Sequence, residues 1–420
     1  MSARSVLIIA FAFPPYREVG GKRWTKFARI LAERGWNVHV ITTHWGPAEG
    51  SAYAEVDMPG IHVHRAYSPG VHRLRARTFD DSVRGRVARR LNKELIRFLT
   101  ACGLGEDARA WGVLMLPLAR RVAHRHKIDT IVSTGAPFFA NWWAARLKQS
   151  LPDSHLVVEF QDPFADLPAF QCAGGDKLRR ARTLEKEFIA QADVVVTVTE
   201  GLSRRISTAH PDADVRTIAN GYDKEEFTAP GAPRPRDFSM LYAGNLFVGR
   251  QLPLASFLES VRRLHSQMPE LVLDFYGRFP ADVRRGFVDL EECGVLRIND
   301  RVSTQEIVEH MDNAFVCLQF NAEEFSYLVS TKIYEYGFAR RPVLSVNYGG
   351  EVEDLVNECK LGWSVRGDDP GALDQRLIEI YEQWRTCPEL QTAPVALEQY
   401  EYQNLSTRYE ELLSDLGHGE

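Results

Sequence analysis

The sequence predicts an α/β protein of two doubly wound parallel sheets, and three observations predict it. Short strands nearly continuous in Val, Ile and Leu alternate with helical stretches, as strands covered on both faces should. The alternation runs twice along the chain. Between the two runs, TAPGAPRPRDF (228–238) concentrates Pro, Gly and Arg and reads as an interdomain linker. At 420 residues, 45% hydrophobic and 25% charged, the chain can bury a large core and is too long for one ordinary domain.

The opening MSARSVLIIAFAFPPY holds an eight-residue apolar run that leads straight into a Pro-Pro turn, so it reads as the first core strand and not as a signal sequence. Behind it, Gly20 and Gly21 stand just before a helix containing Trp24, Phe27, Ala28 and Leu31. Paired glycines let backbone approach a ligand closely, and a helix start favours negative charge. A turn needing positive φ explains them as well, and no G-x-G-x-x-G is present. The strands then continue as NVHVITT (37–43), IHVHRAY (61–67), TIVST (130–134), HLVVEF (155–160), VVVTVT (194–199) and VRTIAN (215–220).

Between the third and fourth strands, Arg73 to Arg97 holds nine Arg/Lys against three Asp/Glu. Val83, Val87, Leu91 and Leu95 fall at i+4 intervals there, with basic residues elsewhere around the helix. A basic amphipathic helix over 83–97 could rest on an anionic membrane and meet a lipid-linked acceptor, or could be a domain helix with a solvated basic face. His124 and His126 are two apart, cannot share a helix face, and read as surface residues. Trp142 and Trp143 read as core or cleft wall, although one could stack on an acceptor ring.

In the second half the strands are SMLYAG (239–244), LVLDFYG (271–277), VLRI (295–298), FVCLQF (315–320), PVLSV (342–346) and GWSV (362–365). Helices at about 253–266, 304–313, 331–339, 351–358 and 370–384 separate them. Leu405, Tyr409, Leu412 and Leu416 at helical spacing predict a last amphipathic helix. The expected organisation is 1–227, a linker at 228–238, 239–390, and a C-terminal helix within 391–420 that packs back toward the first domain. Doubly wound sheets bind ligands at the carboxyl ends of their strands, so two such domains facing a central cleft would place the active site there.

The richest stretch is Ser330-Thr331-Lys332-Ile333-Tyr334-Glu335-Tyr336-Gly337 followed by FARRPVLSV. It reads as a loop, a short helix opened by hydroxyl residues, then a buried strand. Such a helix leaves backbone N–H groups for an anion, and Glu335 lies about one turn in, on the same face as Lys332. A diphosphate and a vicinal diol could both be held, which is the pairing a nucleotide-sugar donor requires. A surface helix with an i,i+3 ion pair accounts for the same residues.

Composition narrows the remainder. The six cysteines (Cys102, Cys172, Cys293, Cys317, Cys359 and Cys387) are scattered, without C-x-x-C or zinc-site spacing, which fits a reduced compartment. No apolar stretch approaches the roughly 20 residues of a membrane span. A net charge of -5 argues against a general nucleic-acid binder, so cytoplasmic placement is expected, with contact at the inner membrane face through 83–97 as the open alternative.

In this order along nearly the whole chain, several segments resemble the retaining glycosyltransferases of family 4, of GT-B fold. FPPYREVGGKRWTKFARILAERGWNVHVIT is similar to that family's N-terminal segment, and LEKEFIAQADVVVTVTEGL to its strand after an acidic helix. IANGYDKEEF resembles its Asn-Gly-x-Asp motif, YAGNLFVGRQ its Gly-initiated loop ending in a basic residue, and STKIYEYGFARRPVLSV the second half of its E-x7-E element. The resemblance implies that Glu335 holds the donor ribose and that the amides of Ser330 and Thr331 meet the diphosphate. It implies a donor-side role for Gly20, Gly21, Gly244, Asn245 and Gly277, the last opening the loop GRFPAD, and a cationic one for Arg250.

The pattern is also broken in places. Tyr327 stands where the first glutamate belongs, with Glu323 and Glu324 close by, and Asn245 stands where many members have arginine, which makes Lys332 the candidate second cation. Only Pro137 remains of a His-Glu-Pro triplet, Gln161 replaces the arginine of an Arg-Asp-Pro-Trp variant, and Asp162 is the acidic candidate for acceptor or sugar hydroxyls, though Asp before Pro is also a common turn former. With Pro137, Trp142 is the acceptor-side candidate. No cofactor and no metal are expected, since the family uses amides and cations in place of a divalent ion. The implied reaction is sugar transfer, with retention, from a nucleoside diphosphate to a hydroxyl of a glycan, glycolipid or small molecule, in surface polysaccharide or glycolipid assembly. A nucleotide-sugar 2-epimerase of the same architecture and a non-catalytic nucleotide-sugar-binding scaffold are the alternatives.

Overall fold

A strand without polar interruption is stable only where both of its faces are covered, and the strands of this chain meet that condition by alternating with helices. The computed structural model describes residues 4–14, 19–44, 59–68, 82–99, 108–166, 175–227, 238–246 and 251–417. They form two sheets in two compact units.

The first sheet has seven parallel strands: β1 (Ser5–Ala10), β2 (Asn37–Thr43), β3 (Ile61–Ala66), β4 (Thr130–Gly135), β5 (His155–Phe160), β6 (Val194–Thr197) and β7 (Val215–Thr217). Their spatial order is β3-β2-β1-β4-β5-β6-β7, so the winding reverses between β1 and β4, which pair in parallel from Leu7↔Ile131 to Ala10↔Thr134. The intervening helices are α1 (Val19–Glu33), α2 (Val83–Leu99), α3 (Trp111–His126), α4 (Phe139–Ser150), α5 (Gly175–Ile189) and α6 (Glu200–Ala209).

The second sheet has six parallel strands: β8 (Phe238–Ala243), β9 (Leu271–Tyr276), β10 (Leu296–Asn299), β11 (Val316–Phe320), β12 (Val343–Asn347) and β13 (Gly362–Arg366). The order β10-β9-β8-β11-β12-β13 repeats the plan of the first, with its reversal between β8 and β11. Helices α7 (Gln251–Leu264), α8 (Ala281–Gly286), α9 (Val288–Glu292), α10 (Thr304–Asn313), α11 (Lys332–Phe338), α12 (Glu351–Glu358) and α13 (Pro370–Thr386) cover it, and α14 (Tyr402–Gly417) ends the described chain. Local chemistry sets several boundaries. Ser303 and Glu306 form a capping box that opens α10, and Asp369 caps α13, accepting from the Ala372 N–H with Pro370 in the first turn. The short helices α8 and α9 were not anticipated from the sequence, because neither spans enough residues to show a period.

The first unit comprises Met1–Val198, Leu202–Ile218 and Ser406–Glu420; the second comprises Thr199–Gly201 and Ala219–Leu405. The division therefore falls at Ile218, short of the expected 227. The reason is packing: the Tyr222 ring stacks on Phe338 at 4.6 Å, and Tyr222 donates its N–H to the Tyr400 carbonyl and accepts from the Tyr402 N–H. The expected linker, 228–238, lies outside the described residues apart from Phe238, the first residue of β8.

One buried polar cluster organises the first unit. Glu159 on β5 is fully buried and receives hydrogen bonds from Arg23 Nε (3.0 Å), Trp24 Nε1 (2.7 Å), Thr134 Oγ1 (3.1 Å), Gln161 Nε2 (3.3 Å) and Tyr409 Oη (3.0 Å). Arg23 also donates to the Ile218 carbonyl (2.7 Å), and burial beside the Glu159 charge drives the Tyr409 phenol far up. One carboxylate thereby ties α1, β4, β5 and α14 together. Tyr409 also packs on Trp24 (5.0 Å) and Phe27 (4.9 Å), and Glu410 accepts from Trp36 Nε1 and pairs with Arg34 and Arg4.

A second polar group in this unit is a stack of histidines. His39 is fully buried, lies 4.1 Å from His126 and 4.8 Å from His62 between ring centroids, and shares a 3.0 Å hydrogen bond with His64. His126 is thus a member of a packed cluster and not the plain surface residue its spacing suggested, because α3 packs against β2 and β3. The rings stack and do not converge on a point. Among the described residues no group of three or more His, Cys, Asp or Glu is arranged to hold a metal ion.

Candidate active site

The switch point of the second sheet lies at the carboxyl ends of β8 and β11, where an open α/β sheet leaves a crevice. Gly244, directly after β8, has φ +144°, and Gly277, directly after β9, has φ +127°. A Cβ on Gly277 would stand 2.3 Å from the Gly244 carbonyl oxygen, so two turns approach each other as only glycine permits. Asn245 fastens them. Its Oδ1 accepts from the Arg278 N–H at 3.1 Å, while the Leu246 N–H donates to the Arg278 carbonyl at 3.0 Å. The residue standing where an arginine was looked for is therefore a brace between loops. Arg278, next to Gly277, carries an exposed side chain at the same place and was not singled out from the sequence.

On the other side of the switch point, β11 ends at Phe320 and Asn321 braces the loop that follows. Its Nδ2 donates to the carbonyls of Phe325 (3.0 Å) and Leu328 (3.2 Å), and its own N–H donates to the Val346 carbonyl (3.0 Å). Glu323 and Glu324 are exposed in the short 3-10 turn here, and their charges together with that of Asp368 add to burial in raising the Tyr348 phenol. Gly350 closes in from the next loop: a Cβ there would lie 2.4 Å from the Ser326 carbonyl oxygen.

The braced loop leads to Ser330, Thr331 and α11. Thr331 has helical φ and ψ and makes no side-chain cap, since the residue is already inside the turn. Lys332 Nζ lies 2.6 Å from Glu335 Oε2, and Glu335 is 5% exposed. The lysine is thus the counter-ion of a nearly buried carboxylate, the i,i+3 pair that the spacing offered. Tyr336, fully buried, fixes the helix against the sheet by accepting from the Ala243 N–H at 3.0 Å, one residue before Gly244. Gly244, Asn245 and Gly277 thus form one contact group, joined to α11 through Tyr336, with Ser330, Thr331, Lys332 and Glu335 at the head of that helix. Arg250 lies outside the described residues.

In the first unit, Gly20 and Gly21 stand in the first turn of α1 and not ahead of it. A Cβ on Gly21 would come within 3.3 Å of the Ala12 carbonyl oxygen, so glycine lets this turn press on the exit of β1. Pro137 follows β4, and Asp162 is exposed just past β5. Gln161 points inward to Thr134 (3.0 Å) and Glu159. Trp142 is held on the helical layer, donating to Glu187 Oε2 (2.9 Å) under the Arg146 guanidinium, and it lines a 350 Å³ pocket with Arg120, Trp143 and Arg146 on α3 and α4. The one Asp-x-Asp spacing of the chain, Asp212 and Asp214, precedes β7, where Asp214 is bound by Arg216.

Residues 20–221 match the family model of the glycosyl transferase 4-like domain. No curated protein matches the chain. Among solved structures it is similar to a sucrose-phosphate synthase from Thermosynechococcus elongatus (TM-score 0.65, 13% identity, covering 99% of this chain and 100% of that one). It is similar also to a glycosyltransferase from Rickettsia africae ESF-5 (TM-score 0.62, 11% identity, 100% of both chains). A third likeness is to Anabaena HepE, solved in complex with UDP-glucose (TM-score 0.62, 13% identity, 98% of this chain and 99% of that one). At these identities the structural likeness is one of fold, the two-sheet GT-B architecture. Residues 20–221 are a glycosyl transferase 4-like domain, and the chain that carries it is a glycosyltransferase of the GT-B type.

Proposed function

We propose that the protein transfers a sugar, with retention of configuration, from a nucleoside diphosphate held on the second unit to an acceptor hydroxyl. The observation that carries this reading is the meeting of the Gly244 and Gly277 turns at the switch point, joined through Tyr336 to the helix that bears Glu335. A nearly buried carboxylate paired with a lysine is a suitable acceptor for two vicinal ribose hydroxyls. The close glycine turns leave backbone within reach of phosphate oxygens, as side chains would not. Arg250 and Arg278 supply the positive charge that the departing diphosphate requires, while Lys332 balances Glu335. The Anabaena neighbour, solved with UDP-glucose, supports a nucleotide-sugar donor.

Retention on this scheme needs no carboxylate nucleophile. The leaving phosphate oxygen takes the proton of the incoming hydroxyl on the same face of the sugar, and the protein contributes orientation and fixed charge. Asp162 and Pro137 are the acceptor-side candidates. No metal takes part in the proposal, so chelation should leave turnover unchanged.

Incubation with UDP-, GDP- and dTDP-sugars tests it. Slow release of nucleoside diphosphate with the α or β anomer of the donor preserved in the product supports transfer. Recovery of an isomerised donor favours the 2-epimerase, and binding without conversion favours the scaffold.

A further inference from the structure

Helix α2 divides into three sectors when its residues are placed at about 100° intervals. Gly85, Ala88, Asn92 and Ile96 fall within an arc of about 80° and are the four residues from Val83 to Phe98 that are not exposed. This arc is the covered one. Val83, Val87, Leu91, Leu95 and Phe98 span a second arc of about 120°, and every one is exposed, from 44% at Leu95 to 68% at Val83. Arg86, Arg89, Arg90, Lys93 and Arg97 fill the third, while Arg84 and Glu94 fall among the apolar residues of the second. Glu94, paired with Arg97 at 2.6 Å, is the only acidic residue, so the helix carries six cations against one carboxylate in a chain whose formal net charge is -5.

Five exposed apolar side chains in one stripe are more than a monomeric surface ordinarily leaves to water, and they mark an interface. Charge selects the occupant. A second copy of the chain meeting this face isologously would set one basic sector against another. An anionic lipid surface meets both requirements, offering phosphates to the basic sector and acyl chains to the apolar arc. Among the described residues no helix is long and apolar enough to cross a membrane, so the contact is one of lying on the surface.

We propose that α2 docks the protein on an anionic bilayer, with the Val83–Phe98 stripe sunk into the headgroup boundary and the arginine sector along the phosphates. This inference stands apart from the donor site. The test is flotation of the full chain with vesicles of phosphatidylcholine alone and of phosphatidylcholine with phosphatidylglycerol. Binding to the anionic vesicles only is expected, weakening as salt is raised. L91D/L95D and R90E/K93E should each lower the bound fraction at least roughly tenfold, with unfolding midpoints and donor affinity unchanged because the substituted residues are exposed. Equal binding to both vesicle types, no binding to either, or binding that survives L91D/L95D would overturn the proposal. So would a wild-type dimer that L91D/L95D dissolves, since it would show a second copy on this face.

Discussion

Replacing Glu159 by alanine removes the acceptor shared by Arg23, Trp24, Thr134, Gln161 and Tyr409. The largest consequence is electrostatic. Arg23 is 2% exposed and would keep its charge without the carboxylate it faces, and breaking a buried ion pair in this way costs about 3–5 kcal/mol. The Trp24 and Tyr409 donors, also buried, lose their acceptor, at about 1–3 kcal/mol each where no water replaces it. Partial relaxation keeps these from adding in full, so a loss of about 5 kcal/mol is expected, comparable to the whole stability of many domains. Urea unfolding followed by tryptophan fluorescence reads it, since Trp24 is itself a member of the cluster. R23M alone should cost a similar amount, and R23M/E159L together much less than the sum, because the pair leaves as a unit. Additive single and double substitutions, with coupling below about 0.5 kcal/mol, would refute the view that one carboxylate ties α1 to β5 and α14.

Three further outcomes are expected. G277A places a methyl group 2.3 Å from the Gly244 carbonyl at a φ of +127°; it should weaken donor binding at least roughly tenfold by calorimetry while the first unit unfolds as before. R278A should lower the rate of donor hydrolysis more than it lowers donor affinity, since a cation acting on the leaving group matters most as charge develops; unchanged hydrolysis would remove Arg278 from the site. His39 titrates at about 4 instead of near 6.5, because burial and then the neighbouring imidazoles of His126, His62 and His64 disfavour its charged form. The unfolded chain therefore takes up this proton first. Stability present above pH 6.5 should fall as pH drops toward 4, by on the order of 2 kcal/mol once solvent screening at the exposed His62 is allowed for. Unfolding midpoints of H39N that keep the same slope over this window would contradict that origin.

The architecture could be read from the chain because its signal is repetitive. Val, Ile and Leu runs at β1, β4, β5 and β11 have few alternatives to a doubly covered parallel strand, and a boundary error of one or two residues does not alter the winding. The head of α11 was legible for a different reason, since Ser330 to Gly337 concentrates hydroxyl, cation and carboxylate within two turns. Partnerships were not legible. Nothing along the sequence joins Glu159 to Tyr409, 250 positions later, or Asn245 to Arg278, since such contacts depend on how separate strands end beside one another. The burial of Glu335 is of the same kind: spacing put Lys332 beside it, but nothing in the spacing said that the carboxylate would be only 5% exposed. His126 was misjudged because the rule about helix faces concerns one helix, whereas its neighbours belong to β2 and β3.

The most direct test of donor binding at α11 is a calorimetric titration of wild type and E335A with the nucleotide sugar that the wild type binds best. Two hydrogen bonds from ribose hydroxyls to a carboxylate correspond to about 3 kcal/mol, so the dissociation constant should rise roughly 100-fold, with E335Q falling between. An E335A protein that binds the same donor as tightly as wild type would contradict the placement of the ribose at Glu335.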